Sequence, residues 1–523
     1  MTDSLNDIHQ APAPVPVTLA ALLEGLELLA VSGDLDLPVT ALCYDSRRVI
    51  PGAAFIAVRG MAQDGHRHIP HALERGATVI IAEQPPPVPS PAVWMRVRDS
   101  RKALARLAAN YYGQPTQALQ LIGVTGTNGK TTTTLRLEGI LRQNGHKVGI
   151  IGTLAYRWAD KHIPAPMTTP ESLDLQRLFH AMRQDRVTRV VMEVSSHALA
   201  LGRVEGCRFR AAVFTNLSQD HLDFHGNLDD YFAAKALLFF HHLREYDAGA
   251  RPVAIINIDD SCGQELLENT HGEPWSYSIS QPQAQVWVKR VEFAADGIRA
   301  ELSTPRGGLE VRSPLLGRLN LYNVLAAATT AMAMGIPEDQ IVSGLEAVSS
   351  VDGRLQRVLT GKDFEVVVDY AHTPDALEKS LQCLRELTRS RLLVVFGCGG
   401  DRDRTKRPLM GKVAATLGDV VIVTSDNPRA EDARAIIADI EPGLREAGIV
   451  SIPPAIHDQP NGSGCYTIEA DRRQAIRLAL SWAQAGDLVC ISGKGHETYQ
   501  IVGSEVLPFD DRVVVRECLT LLS

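Results

Sequence analysis

Leu119-Gln-Leu-Ile-Gly-Val-Thr-Gly-Thr-Asn-Gly-Lys-Thr-Thr-Thr-Thr-Leu135 joins a short apolar run to a glycine-rich turn and then to a helix-forming segment. Leu119 to Val124 reads as a strand, and the segment from Thr131 to about Asn144 places Leu135, Ile140 and Leu141 at helical spacing. Lys147-Val-Gly-Ile-Ile151 then returns to strand, which makes one strand–helix–strand unit of a parallel sheet. The turn Thr125-Gly-Thr-Asn-Gly-Lys-Thr131 lies where backbone N–H groups and a helix N-terminus cradle phosphate oxygens. Lys130 adds charge and Thr131 a hydroxyl for Mg²⁺. The position six before Lys130 is Val124, with Gly123 one place further back, so this is a variant of the usual phosphate loop. A glycine-rich turn with an exposed lysine is the bland alternative; strand before, helix after and Gly-Lys-Thr-Thr at the junction favour nucleoside triphosphate.

Working outward, apolar strands follow at Arg189-Val-Val-Met-Glu193, Ala211-Ala-Val-Phe-Thr215 and Val253-Ala-Ile-Ile-Asn257. After Val351-Asp-Gly-Arg354 the grammar restarts at Phe364–Asp369, Arg391–Phe396, Asp419–Thr424 and Asp487–Ser492, each but the last before a predicted helix. Before about Pro115 the text is mixed, and the proline cluster from Gln84 to Pro91 reads as an extended surface loop. The expectation is an α/β chain of three domains. They are a mixed α/β domain over 1–115, a central P-loop ATPase-like parallel-sheet domain over 116–350, and a C-terminal Rossmann-like domain over 351–523. In such sheets ligands collect at the carboxyl ends of strands.

Length and composition agree with several ordinary cores. The chain has 523 residues, 45% hydrophobic and 22% charged. Lys plus Arg total 53 against 61 Asp plus Glu, and a net charge of −8 gives no general attraction for nucleic acid or an anionic membrane. The eight cysteines form no Cys-x-x-Cys pair, which argues against a structural zinc or a disulfide framework and suits a reducing compartment. MTDSLNDIHQ lacks a basic-then-apolar leader, and no run approaches the ~18 apolar residues of a spanning helix. A cytoplasmic protein without membrane insertion is expected.

Three further features invite chemistry. Glu193, at a strand end before Val194-Ser-Ser-His197, is placed either to reach a metal or to sit solvated. Phe214-Thr-Asn-Leu-Ser-Gln-Asp-His-Leu-Asp-Phe-His225 packs histidines and aspartates that serve equally as metal ligands or loop caps. Lys235, in Tyr231-Phe-Ala-Ala-Lys-Ala-Leu-Leu-Phe239, reads locally as a snorkelling lysine.

Taken together and in order, these motifs resemble the Mur ligases, ATP-dependent amide-bond-forming enzymes of bacterial cell-wall precursor synthesis. The match covers most of the chain. It runs through Asp45-Ser-Arg47, the phosphate loop, Met192-Glu-Val-Ser-Ser-His197, Asp220-His-Leu-Asp-Phe-His-Gly226, Ala233-Ala-Lys235 and Asn320-Leu-Tyr-Asn323. It continues through Asp369-Tyr-Ala-His-Thr-Pro374, Gly397-Cys-Gly-Gly-Asp-Arg402 and Gly493-Lys-Gly-His-Glu497. Asp426-Asn-Pro-Arg429 further resembles the branch that adds meso-diaminopimelate to UDP-N-acetylmuramoyl-L-alanyl-D-glutamate. A guanidinium fork grips a carboxylate while Asp and Asn bind an ammonium, which suits a zwitterion better than an alkylamine tail. A plain strand-to-helix turn explains Asn427 and Pro428 but does not require Arg429.

The resemblance implies roles for specific positions. Gly126, Thr127, Asn128, Gly129, Lys130, Thr131 and Thr132 would hold ATP phosphates and Mg²⁺, with Asn323, Arg354, Asp369 and His372 also on the nucleotide. Thr131, Glu193, His221 and Lys235 would serve metal, Lys235 as a CO₂-derived carbamate, an anion where the free amine would repel Mg²⁺. Lys130, Lys235, His221 and His372 form the implied catalytic set. Ser46, Thr168, Thr169, Ser195 and Arg203 match contacts to the muramyl substrate; Arg402, Asp426, Asn427, Pro428, Arg429, Gly493 and Glu497 match those to diaminopimelate. Two departures stand out: Leu201 replaces a glutamine common in relatives, and residues 457–464 form a longer stretch than usual, expected to be a surface loop. A monomer is expected. The competing readings are a folylpolyglutamate-synthetase-like ligase and a nucleotide switch that joins nothing.

Overall fold

A computed structural model of the chain describes residues 16–60, 63–85, 92–243, 251–294, 296–454 and 464–521. Residues 86–91 of the proline cluster and 457–463 of the long stretch lie outside these. Three large sheets follow one another. In the first, Leu42–Cys43, Ala54–Ile56, Val79–Ala82 and Val93–Arg96 are parallel, with Ala30–Ser32 antiparallel at one edge. Leu104, Leu107 and Ala108 of the helix Ser100–Tyr111 pack into its core.

The second sheet has eleven strands around a parallel centre of Val148–Ile151, Arg189–Glu193, Gln120–Thr125, Phe209–Phe214 and Val253–Asn257, in that spatial order. These runs are apolar without alternation because helices cover both faces. Ile122 and Val124 face Leu137, Ile140 and Leu141 of the helix Lys130–Gln143, while Leu121 faces Phe179 and Met182 on the other side. Leu135, grouped with the core by spacing, is only half-buried; Leu137 takes that place. The sheet is not wholly parallel. The hairpin Ala155–Trp158 with Lys161–Pro164 closes one edge, and the meander Val286–Ala294, Gly297–Thr304, Gly307–Ser313 closes the other. Their half-exposed strands carry too few consecutive apolar residues to stand out beside the buried centre.

In the third sheet, Leu488–Ser492 lies between Glu365–Asp369 and Leu392–Phe396, followed by Val420–Val423, all parallel. The loops leaving these four strands carry His372, Arg402, Asp426 to Arg429, and Gly493 to Glu497, so one sheet edge presents them together. Arg472 braces that edge from beneath. Fully buried, it pairs with Asp511 at 2.8 Å and donates to Ser492 O at 3.0 Å. Among the described residues no helix is long and apolar enough to cross a membrane.

Candidate active site

The loop after Gln120–Thr125 turns through two residues of positive φ, Gly126 at 142° and Gly129 at 86°. A Cβ on Gly126 would overlap Thr215 Oγ1, and one on Gly129 would overlap Asn323 Oδ1. The segment after Phe209–Phe214 fastens the loop from outside. Thr215 Oγ1 donates to Asn128 O at 2.6 Å, Asn128 N donates to Asn216 Oδ1 at 2.9 Å, and Ser218 N donates to Thr127 Oγ1 at 3.0 Å. Lys130 folds back, its Nζ donating to Gly126 O at 3.0 Å and Thr127 O at 2.9 Å. Burial pulls its ammonium pKa down, against the opposing pull of Glu193. Gly126→Ala is expected to cost about 1–3 kcal/mol of loop strain. Calorimetric titration with ATP should show weakened binding while the far-UV spectrum stays native.

Glu193 stands directly beside this loop. Its carboxylate accepts from Thr131 Oγ1 at 2.9 Å, Thr153 N at 2.9 Å and Thr153 Oγ1 at 3.1 Å. All three donors are neutral. Thr131 and Glu193 thus offer the oxygen donors that Mg²⁺ prefers. Lys235, in the helix Leu228–Phe240, does not snorkel: it is 1% exposed, and its Nζ donates to Gly126 O at 2.9 Å, 4.4 Å from the Tyr231 ring. Burial, reinforced by Lys130, drives its pKa far down and favours the neutral amine. An amine is a poor Mg²⁺ donor, whereas a carbamate on it would offer oxygen.

His221 has left-handed backbone (φ 54°), and its Nε2 lies 3.4 Å from Asp220 Oδ2. Its ring is 6.2 Å from that of Tyr231, so His221 and Lys235 flank the same aromatic. Burial lowers its pKa, with Asp220 resisting. His372 is held neutral mainly by burial, with Lys406 adding to it, and its Nδ1 lies 2.9 Å from Tyr370 O. That contact requires the Nδ1–H tautomer and leaves Nε2 as an acceptor.

Between the central and C-terminal sheets, a cavity of about 90 Å³ is lined by Asn128, Gly129, Thr132, Asn320, Asn323, Arg354 and Asp369. Asn323 Nδ2 donates to Asn320 Oδ1 at 3.2 Å, and the Arg354 guanidinium lies 4.6 Å from the Tyr370 ring centre. Asp369 is engaged internally, accepting from Leu355 N at 2.7 Å, Ser380 Oγ at 2.9 Å and Ala371 N at 3.0 Å. It shapes the wall more than it offers an open carboxylate.

A larger cavity of about 670 Å³ unites both sides of the crevice. Asp220 and His221 line it from the central sheet; His372, Arg402, Asp426, Asn427, Arg429, Gly493 and Glu497 line it from the C-terminal one. Asp426 Oδ1 accepts from Asn427 N at 2.7 Å, whereas its Oδ2 is buried without a hydrogen-bond partner. Asn427 Nδ2 donates to Glu497 at 2.7 Å, and fully buried Lys494 donates to both Asn427 Oδ1 (3.1 Å) and Glu497 (3.0 Å). Arg429 Nη1 donates to Gly400 O at 2.8 Å, holding the guanidinium at the rim. Pro428 is absent from the lining; its carbonyl accepts from Glu431 N at 3.1 Å.

The remaining predicted residues fall into two groups. Thr169 Oγ1 donates to Glu193 O at 2.9 Å and accepts from Ser195 N at 3.1 Å; Arg203 donates to Thr169 O at 3.1 Å. Thr168 Oγ1 lies 3.1 Å from Thr153 Oγ1, so this quartet adjoins Glu193. Leu201 merely ends the short helix Ser196–Ala200. Ser46 stands apart, opening the turn Ser46–Arg48 with its Oγ 3.0 Å from His71 Nδ1, and lines neither cavity. Lys494 and Asp375, which the sequence reading did not select, belong to the site. Lys494 lies inside Gly493-Lys-Gly-His-Glu497, but nothing local marks Asp375.

Residues 38–112, 124–331 and 353–495 match family models described as Mur ligase family, catalytic domain; Mur ligase middle domain; and Mur ligase, glutamate ligase domain. The UDP-N-acetylmuramoyl-L-alanyl-D-glutamate–2,6-diaminopimelate ligase of Geobacter metallireducens is 46% identical over 492 residues, 94% of this chain and 96% of its own. The enzyme of the same name from Geobacillus thermodenitrificans is 47% identical over 478 residues, 91% of this chain and 94% of its own. A solved structure of a ligase of that name superposes with a TM-score of 0.68 at 32% identity, over 97% of this chain and 99% of that one.

Proposed function

The chain belongs to the Mur ligase family, and from that membership and the geometry above we infer that it joins diaminopimelate to the γ-carboxylate of D-glutamate in UDP-N-acetylmuramoyl-L-alanyl-D-glutamate, with ATP cleaved to ADP and phosphate. The supporting observation is the single cavity onto which both His221 and the Asp426–Arg429 corner open. A phosphate-side group and an amino-acid-binding corner in one crevice suit a reaction in which an activated acyl group meets an incoming amine.

In that reading the D-glutamate γ-carboxylate attacks the terminal phosphorus of ATP, ADP leaves, and an acyl phosphate remains. The neutral amine of diaminopimelate attacks its carbonyl carbon, loses a proton, and the tetrahedral adduct expels phosphate to leave the amide. Lys130 and the loop amides hold the phosphates. His372 Nε2, free to accept, takes the amine's proton. Asp426 Oδ2 receives the ammonium of the amino acid's distal zwitterionic end and Arg429, with Arg402, its carboxylate. Thr131, Glu193, His221 and a carbamate on Lys235 would hold Mg²⁺, whose charge would screen the anions brought together. Thr168, Thr169, Ser195 and Arg203 border the peptide end of the muramyl substrate, Ser46 its uridine end, and the enzyme works as a cytoplasmic monomer.

Phosphate release tests the reading. It should require ATP, the muramyl dipeptide and meso-diaminopimelate together, with L-lysine a poor substitute. Slow hydrolysis indifferent to both acceptors would instead mark a nucleotide switch.

A further inference from the structure

Asp375 lies in the first turn of the helix Pro374–Leu387, where an acid ordinarily does no more than complement the helix dipole. Its carboxylate does something else. Oδ2 accepts from Ser218 Oγ at 2.6 Å and from Asn128 Nδ2 at 3.0 Å, both on the central sheet's side of the crevice, while Lys379 Nζ donates to Oδ1 at 2.8 Å. The two donors already belong to one hydrogen-bonded unit, since Thr215, Asn216 and Ser218 fasten the phosphate loop at Thr127 and Asn128. Asp375 therefore grips the loop both directly and through its brace. Its position is also particular. Asp375 lines the larger cavity, and its neighbours Ala376 and Lys379 line the smaller one, so the grip falls between the two.

We propose that Asp375 is a positioning residue, a clasp that ties the phosphate loop to the C-terminal region and so keeps the nucleotide and amino-acid cavities in register. The clasp deepens the ligase reading and rests on it for its kinetic consequence. Ser218 and Lys379 act with it: the hydroxyl closes the contact, and the ammonium offsets a carboxylate that would otherwise repel a triphosphate. The role is distinct from stabilising a helix end, because a charged hydrogen bond across a crevice matters only when the two sides must meet.

The test uses the full-length protein and the variants Asp375→Ala, Asp375→Glu, Ser218→Ala and the double variant Asp375→Ala/Ser218→Ala. Small-angle scattering is recorded with a non-hydrolysable ATP analogue and Mg²⁺, alongside kcat, the KM for ATP and for the amino acid, and the thermal midpoint. Asp375→Ala should be less compact than wild type with the analogue, lower kcat about tenfold or more, and move the KM for the amino acid little. Adding Ser218→Ala to it should do no further harm, and Asp375→Glu should recover part of kcat. Compaction equal to wild type, or a fall in thermal midpoint with kcat per folded molecule unchanged, would reduce Asp375 to a helix-end acid and overturn the proposal. The scattering comparison needs no acceptor, so it distinguishes a failed clasp from a failed assignment of substrate.

Discussion

Lys235→Ala is expected to lower ligation by about 10²–10³-fold, the loss seen when one preorganised electrostatic contact to a transition state is removed, while ATP affinity stays close to wild type. The expectation comes from the state of the amine. A lysine 1% exposed and beside a second buried lysine is driven toward its neutral form, and only a neutral amine attacks CO₂. The new N–C bond would form as the neutral amine gives up one proton, so an uncharged buried group would become an anion beside the phosphate loop. Lys235 also donates to Gly126 O at 2.9 Å, so a simpler role, propping up the phosphate loop, must be separated from the carbamate. Lys235→Arg does so: it keeps a hydrogen-bond donor but forms no carbamate, and should be as inactive as alanine. Enzyme equilibrated with ¹³C-bicarbonate should show a protected carbamate resonance that both variants lack. Near-wild-type turnover of either variant, or substantial recovery by arginine, would sink the carbamate role.

Much of this site was legible because its residues sit at the ends of buried strands, and buried strands are the loudest signal in a sequence. Arg189–Glu193 and Val253–Asn257 have the bounds that their apolar runs suggest, and the loops bearing Asp426 and Gly493 follow runs equally plain. What failed to show was of two kinds. The meander from Val286 to Ser313 mixes exposed charges with buried valines, so its strands look like polar connections until their partners are known. Side chains whose function is a long-range bond leave no local trace either. Asp375 reaches Asn128 across 247 positions, and Lys494 reaches Asn427 across 67. Locally Asp375 is an ordinary first-turn acid, and Asp369 an ordinary strand-end acid whose lone pairs are taken up by its own neighbourhood. The local text of Lys235 was actively misleading, since apolar neighbours suit a snorkelling stem and a buried amine equally well.

Arg429→Ala is expected to raise the KM for meso-diaminopimelate by about ten- to a hundredfold, as loss of a hydrogen bond to a charged group costs roughly 1.5–3 kcal/mol, with the KM for ATP unmoved. The guanidinium sits at the rim of the cavity whose floor holds the unpartnered Asp426 Oδ2. A zwitterion satisfies both at once: its ammonium meets the orphaned carboxylate oxygen and its carboxylate meets the fork. The distal end of L-lysine brings only the ammonium, leaving Arg429 without its anion, so the wild-type enzyme should discriminate strongly between the two. The variant should lose most of that discrimination. Alanine keeps the backbone bonds from Arg429 N to Ile501 O and from Gly503 N to Arg429 O, at 3.0 and 2.7 Å, and carries the same Cβ at φ 54°. The corner should therefore hold its shape and the thermal midpoint should change little. Competition between the two amino acids, measured as the ratio of kcat/KM before and after the substitution, isolates the contribution of the carboxylate. A ratio that survives intact, or a change confined to the KM for ATP, would mean that the Asp426–Arg429 corner reads some other part of the reaction.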